Sequence, residues 1–155
     1  GGGEKVAMMQ FEQKTVDTLK IGDFSLFTKT VSETDIVLYA GISADFAPVH
    51  LNEQYAAQTR FGSRIAHPML LGTMAGGAIY RLLSPSSICV KREFEVIAPV
   101  FAGETVTIRA EIASLDREHN RVVVEFECYN VKEELVLRGS SLEALDLVEG
   151  EQVKA

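Results

Sequence analysis

An α+β fold, an antiparallel sheet packed against one long helix, is what this sequence predicts, and three observations predict it. From Ser87 onward, apolar and polar residues alternate with a period of two through four long segments, the signature of half-buried strands. Between Pro68 and Leu83, apolar residues occupy nearly every position, as in a helix enclosed by other structure. The helical segments are gathered before that run of strands rather than interleaved with it, which favours α+β over α/β.

Taken in order, FSLFTKTV from Phe24 to Val31 alternates and reads as a first strand, with Gly22 and Asp23 supplying its turn. Ser32 is an N-cap candidate with Asp35 three residues on, so a short helix is expected to about Ala44. Pro48 biases Ala47 away from helical angles and places a bend between Asp45 and His50. Asn52 can cap a second short helix through Gln58, and Gly62 suits its left-handed exit. Pro68 stands at a favourable first-turn position for the long helix. Gly72, Gly76 and Gly77 lower its intrinsic propensity by up to about 1 kcal/mol each. They make room either for close packing on a sheet or for a ligand chain passing the backbone. The strands read CVKREFEVIAPV, ETVTIRAEIASLD, RVVVEFECYNV and ELVLRGSSLEALDLV, with FAG joining the first two and REHN turning between the next two.

Composition bounds the class. With 155 residues, 46% hydrophobic and 24% charged, the chain is one globular domain with enough apolar content for a core. Residues 9–149 are read as that domain, 1–8 as a vector-derived remnant or disordered, and 150–155 as a tail. No apolar segment of a signal follows GGGEKVA. A formal charge of -7 and the absence of any Lys/Arg run exclude a nucleic-acid surface. Met69 to Leu83 is too short to span a membrane comfortably, so no membrane partner is expected. Cys89 and Cys128 are too few for a zinc site or a disulfide framework; both read as small core residues in a reduced, cytoplasmic setting. No metal and no cofactor are expected.

The densest polar chemistry lies in Ile42–Leu71, where Asp45 and His50 stand five residues apart. On a continuous helix that offset would turn the two side chains apart, whereas a bend can bring them together. The plainer reading is that Asp45 caps a helix and His50 satisfies a backbone carbonyl.

Several stretches together resemble one family. Ala44, Asp45, Phe46, Ala47, Pro48, Val49 and His50, with Ala56 beyond, resemble the Gly-Asp-x-Asn-Pro-x-His motif of the MaoC-like, R-specific enoyl-CoA hydratases, or hydratase 2. FGSRIAHPML from Phe61 to Leu70 matches that family's Phe-Gly-x-x-Ile-Ala-His-Gly-Met stretch, and FEVIAPVFAGETV and Asn130 also match, so the likeness covers about residues 20 to 147. Three positions depart from it: Ala44 for glycine, Ala47 for asparagine, and Pro68 for the glycine at the head of the long helix.

The resemblance implies the hot-dog fold, in which the sheet wraps the central helix, and a homodimer whose sheets join edge to edge. It implies a reversible hydration of trans-2-enoyl thioesters in acyl-CoA and fatty-acid metabolism, with coenzyme A or an acyl carrier as the thioester's other half. Adding water needs a base for the water, an acid for the α-carbon and a donor for charge on the thioester oxygen. By the resemblance, Asp45 and His50 hold the water, and either can deliver the α-proton. The oxyanion donor is sought at the head of the long helix, whose first amides lack helical partners. Pro68 has no N–H, which leaves Met69 or a donor elsewhere. Phe46, His67, Pro68 and Gly72 complete the expected pocket, with a purely structural His67 as the alternative. Arg60, Arg64, Arg81, Lys91 and Arg92 are the cations placed for coenzyme A phosphates. Two rivals stand beside the hydratase: a non-catalytic acyl-thioester binding module, which Ala47 and Pro68 favour, and a thioesterase, which the lack of a carboxylate in Met69–Leu83 disfavours.

Overall fold

The computed structural model describes residues 14–145, so the expected remnant at 1–8 and tail at 150–155 lie outside the described residues. Its elements are β1 (Phe24–Thr30), α1 (Glu33–Ser43), α2 (Pro48–Leu51), α3 (Glu53–Ala56), α4 (Pro68–Leu83), β2 (Ile88–Val96), β3 (Thr105–Asp116), β4 (Arg121–Asn130) and β5 (Leu135–Ala144). The strands form one antiparallel sheet in the order β1-β3-β4-β5-β2. β2 therefore leaves its sequence neighbour β3 and pairs with β5 at the far edge. Among the described residues no helix is long and apolar enough to cross a membrane.

The alternation decides which face meets α4. Phe94, Gly139, Phe126 and Ala110 occupy one register row, and Phe126 and Ala110 are fully buried. α4 presents Leu71, Ala75, Ala78, Ile79 and Leu83 to the core. Ser25 Oγ on β1 donates to the Ala78 carbonyl at 2.6 Å, an extra anchor for the helix. The glycines explain the close approach. A Cβ on Gly72 would stand 2.3 Å from the Phe94 ring, and one on Gly77 would stand 3.1 Å from Phe27.

Four expectations need correction. α4 is not enclosed all round: Met69, Thr73, Tyr80 and Arg81 are exposed, because a single sheet covers only one side of a helix. The second short helix is two single turns, with Asn52 ending α2 and capping α3 through Oδ1, which accepts from Tyr55 N–H at 3.0 Å. Gly62 does adopt φ 72°, but in a turn beyond α3 rather than at its exit. Cys128 is buried, whereas Cys89 is exposed, since an edge strand has no neighbour on its outer side.

One connection positions the head of α4. The segment after β2 runs back beside residues 64–66: Ala66 N–H donates to Val100 C=O at 2.7 Å, and Ala102 N–H donates to Arg64 C=O at 3.2 Å. An isolated bridge joins Ile65 to Phe101.

Candidate active site

The bend begins where α1 ends. Ala44 takes left-handed angles, φ 62°, and its N–H closes the helix on Ala40 C=O at 2.8 Å. Ser43 Oγ donates back to Tyr39 C=O at 2.7 Å and accepts from Asp45 N–H at 3.1 Å. Asp45 Oδ1 accepts from Ala47 N–H at 3.2 Å, a turn closed by the aspartate's own side chain. Pro48 then opens α2, which turns His50 inward until it is buried.

His50 Nδ1 lies 2.8 Å from Ile65 C=O. A carbonyl only accepts, so Nδ1 carries the proton and the neutral ring keeps its lone pair on Nε2. The plainer sequence reading thus holds at one ring nitrogen and leaves the other available. His67, 1% exposed, repeats the arrangement: its Nε2 lies 3.0 Å from Asp45 C=O, and its buried Nδ1 has no hydrogen-bond partner among the described residues. The two imidazoles stack with centroids 3.9 Å apart and planes at 28°, and the Tyr39 ring meets His67 edge-on at 4.9 Å. Burial, foremost, pushes the pKa of His50 below the usual imidazole value; the Ile65 carbonyl opposes that shift, His67 adds to it, and Asp45 opposes it.

A carboxylate oxygen of Asp45 and a ring nitrogen of each histidine lie within 4.8 Å of one another. Such a set has the ligand types of a metal centre, but stacked rings send their in-plane lone pairs side by side. Convergence on one ion would turn a ring and break its bond to Ile65 or Asp45 C=O. The arrangement as it stands suits a water molecule and a proton better. Asp45 is exposed and His50 buried, so the pair spans the boundary between solvent and interior.

The other anticipated residues divide. Phe46 and Met69 are exposed beside the bend and the helix head, and Pro68 is half-buried. Gly72 is buried beneath Phe94. Arg64 is clamped by Glu33 and Glu53 at 2.8 and 3.1 Å, which raises its pKa further and lowers those of both carboxyls. Arg92 is held within the fold by Ser141 Oγ at 3.2 Å and Gly72 C=O at 3.3 Å. Arg81 donates to Gly77 C=O at 2.7 Å and lies over Phe27. Arg60 lies over Phe61 at 4.5 Å, and exposed Lys91 stands 3.8 Å from Glu93. Sequence reasoning missed the parts played by Ser43, Tyr39 and the Ile65 carbonyl, because none carries a motif of its own. Cavities of about 490, 590 and 430 Å³ lie elsewhere, and none of the three is lined by Asp45, His50 or His67.

A sheet curled over one long helix, with a carboxylate and an imidazole on a bend near that helix's head, is the hot-dog architecture of the hydratases that it superposes on. The unliganded R-hydratase PhaJ1 from Pseudomonas aeruginosa matches with a TM-score of 0.79 at 28% identity, over 88% of this chain and 92% of that one. The chain belongs to the MaoC-like domain family, whose model matches residues 19–134. A protein of Rhodospirillum rubrum named (R)-specific enoyl-CoA hydratase is 36% identical over 126 residues, 81% of this chain and 87% of its own length. One of Methylorubrum extorquens named 3-hydroxybutyryl-CoA dehydratase is 33% identical over 127 residues, 81% of this chain and 80% of its own.

Proposed function

We propose that Asp45 and His50 jointly activate one water for the reversible hydration of a trans-2-enoyl thioester, the reverse being dehydration of an (R)-3-hydroxyacyl thioester. The enzyme is a hydro-lyase, in line with relatives named hydratase and dehydratase. The observation that carries the assignment of roles is the convergence of the Asp45 carboxylate and the histidine nitrogens within 4.8 Å.

His50 Nε2 takes a proton as the water oxygen attacks the β-carbon. The π electrons move onto the thioester carbonyl, and the resulting imidazolium, beside the Asp45 carboxylate, protonates the α-carbon. A neutral imidazole is the form that can begin this sequence, and the lowered pKa of His50 keeps it neutral at pH 7. The developing oxyanion is assigned to Met69 N–H. Pro68 has none, and Leu70 N–H is engaged by His67 C=O at 3.0 Å.

Arg60 and Lys91, exposed and lightly held, are the freer of the five cations to meet coenzyme A phosphates. A second copy of the chain is assigned to the uncovered side of α4, where Met69 and Tyr80 are exposed, and a cytoplasmic setting suits the thiols. The test is to add the protein to a short trans-2-enoyl-CoA and to a 3-hydroxyacylated carrier, following the conjugated double bond and product stereochemistry. A second reading, a binding module without turnover, draws on Ala47 and Pro68. Tight binding of enoyl-CoA with no change in the double bond would favour it.

A further inference from the structure

A charged pair that the hydration steps do not use lines the cavity of about 430 Å³ between the C-terminal half of α4 and the edge of the sheet. Gly76, Ile79 and Tyr80 form its helical wall, with Ser84, Arg92 and Glu143 among the rest. Glu143 is 3% exposed, and its Oε2 accepts from Ser141 Oγ at 2.6 Å. Arg92 Nε donates to the same hydroxyl, Nη1 reaches Gly72 C=O, and Nη2 stops 3.8 Å short of Glu143 Oε2, beyond hydrogen-bond reach. The guanidinium has more donors than these bonds consume. A buried ion pair is weak evidence for stability, since apolar residues can fill the same space as well. A few placed polar groups in a largely apolar cavity are, by contrast, what sets the identity of a ligand.

The cavity lies within reach of the catalytic bend. Gly76 stands eight residues beyond Pro68, about 12 Å along the helix axis. Between them one atom, Arg92 Nη1, lies 3.3 Å from Gly72 C=O and 3.4 Å from a Cβ built on Gly76. The alternative route, between α4 and the sheet, is closed by Phe94 on Gly72 and Phe27 on Gly77. An acyl group held at the head of α4 therefore extends along the stripe of Met69, Thr73 and Tyr80, exposed in the single chain, in the seam between α4 and the second copy assigned to that face.

Resting on the hydratase reading above, we infer that this cavity receives the far end of the acyl chain and selects an uncharged hydrogen-bonding group there, a hydroxyl or carbonyl, over a methyl terminus. The spare Arg92 donors meet such a group's lone pair. A carboxylate is disfavoured, because Arg92 and Glu143 already cancel and a second anion beside buried Glu143 would lack a cation.

The experiment measures calorimetric affinities of the full chain for three unreactive saturated thioesters: octanoyl-CoA, ω-hydroxyoctanoyl-CoA and suberyl-CoA. The hydroxyl end should bind about tenfold tighter than the methyl end, the scale of one hydrogen bond to a charged partner, and also tighter than the carboxyl end. Removing both charges at once with Arg92→Leu and Glu143→Leu, so that neither is left alone, should reverse the order of hydroxyl and methyl. Equal or tighter binding of octanoyl-CoA or suberyl-CoA by the unaltered protein overturns the inference, as does a hydroxyl preference that survives in the double variant. Should that variant not fold, the ligand series on the unaltered chain decides by itself. Crotonyl-CoA, too short to reach the cavity, tests hydration separately; its failure to turn over, with the end-group preference intact, sinks the hydratase reading and leaves the cavity standing.

Discussion

Ala44 adopts φ 62° at the exit of α1, where a Cβ crowds the following carbonyl. Its replacement by glycine should stabilise the fold by roughly 1 kcal/mol, read from the denaturation midpoint. Nothing in the sequence itself marks that backbone; only the family motif, with glycine where this chain has Ala44, points to it. His50→Ala and Asp45→Asn should each lower hydration by about 100- to 10,000-fold without moving the thermal midpoint much; near wild-type turnover in either removes that residue from the mechanism. The pH response follows from the His50 environment. Its folded pKa lies below the ordinary value of about 6.5, so the neutral form is favoured by folding. Protons bind the unfolded chain first as pH falls. The stability that His50 contributes is therefore complete above about 6.5 and is lost as pH drops through the lower folded value. The acid limb of kcat/KM should likewise lie below 6.5, and a limb above it contradicts the assignment of His50 as base. His67 acts on the same groups through geometry. His67→Phe keeps a ring against His50 but removes the donor to Asp45 C=O, and a fall of up to about a hundredfold in kcat is expected, with His67→Gln restoring part of it.

At the scale of elements, α4 was the most legible feature of the sequence: an uninterrupted apolar stretch opened by a proline runs from Pro68 to Leu83 in the structure as well. Its glycines admitted two readings, and contact with Phe94 and Phe27 favours close packing. Gly72→Ala should cost about 1–3 kcal/mol in urea unfolding, with much of that recovered when Phe94→Leu is added, because the obstructing atoms belong to a side chain. Gly139→Ala should cost more and resist such rescue, since its Cβ would stand 2.2 Å from the Glu93 carbonyl oxygen, a backbone atom within the sheet. Ser32 and Asp35 likewise declared the start of α1, and their reciprocal bonds at 3.1 and 2.9 Å complete the cap. The order of strands was not legible in this way. Alternation marks which residues share a face, but β2 carries nothing that names β5 as its neighbour.

For the molecule as a whole, the uncovered side of α4 and the open edge of β2 predict association. Sedimentation of the full chain should give a dimer at micromolar concentration, and a charged residue at Tyr80 should weaken it; a monomer throughout would refute the assignment of a second copy to that face. The sequence by itself determined the class of fold, the long helix, the bend and the motif that sets one carboxylate and one imidazole five residues apart across it, because periodicity, capping and proline chemistry act over a few residues. Only the tertiary structure decided that His67 stacks on His50, that Ile65 C=O fixes which nitrogen of His50 is free, and that Arg92 is held by Ser141 Oγ and Gly72 C=O. Each of those contacts joins segments distant in the chain, brought together by the burial of apolar faces, and no local pattern encodes which partners that burial will select.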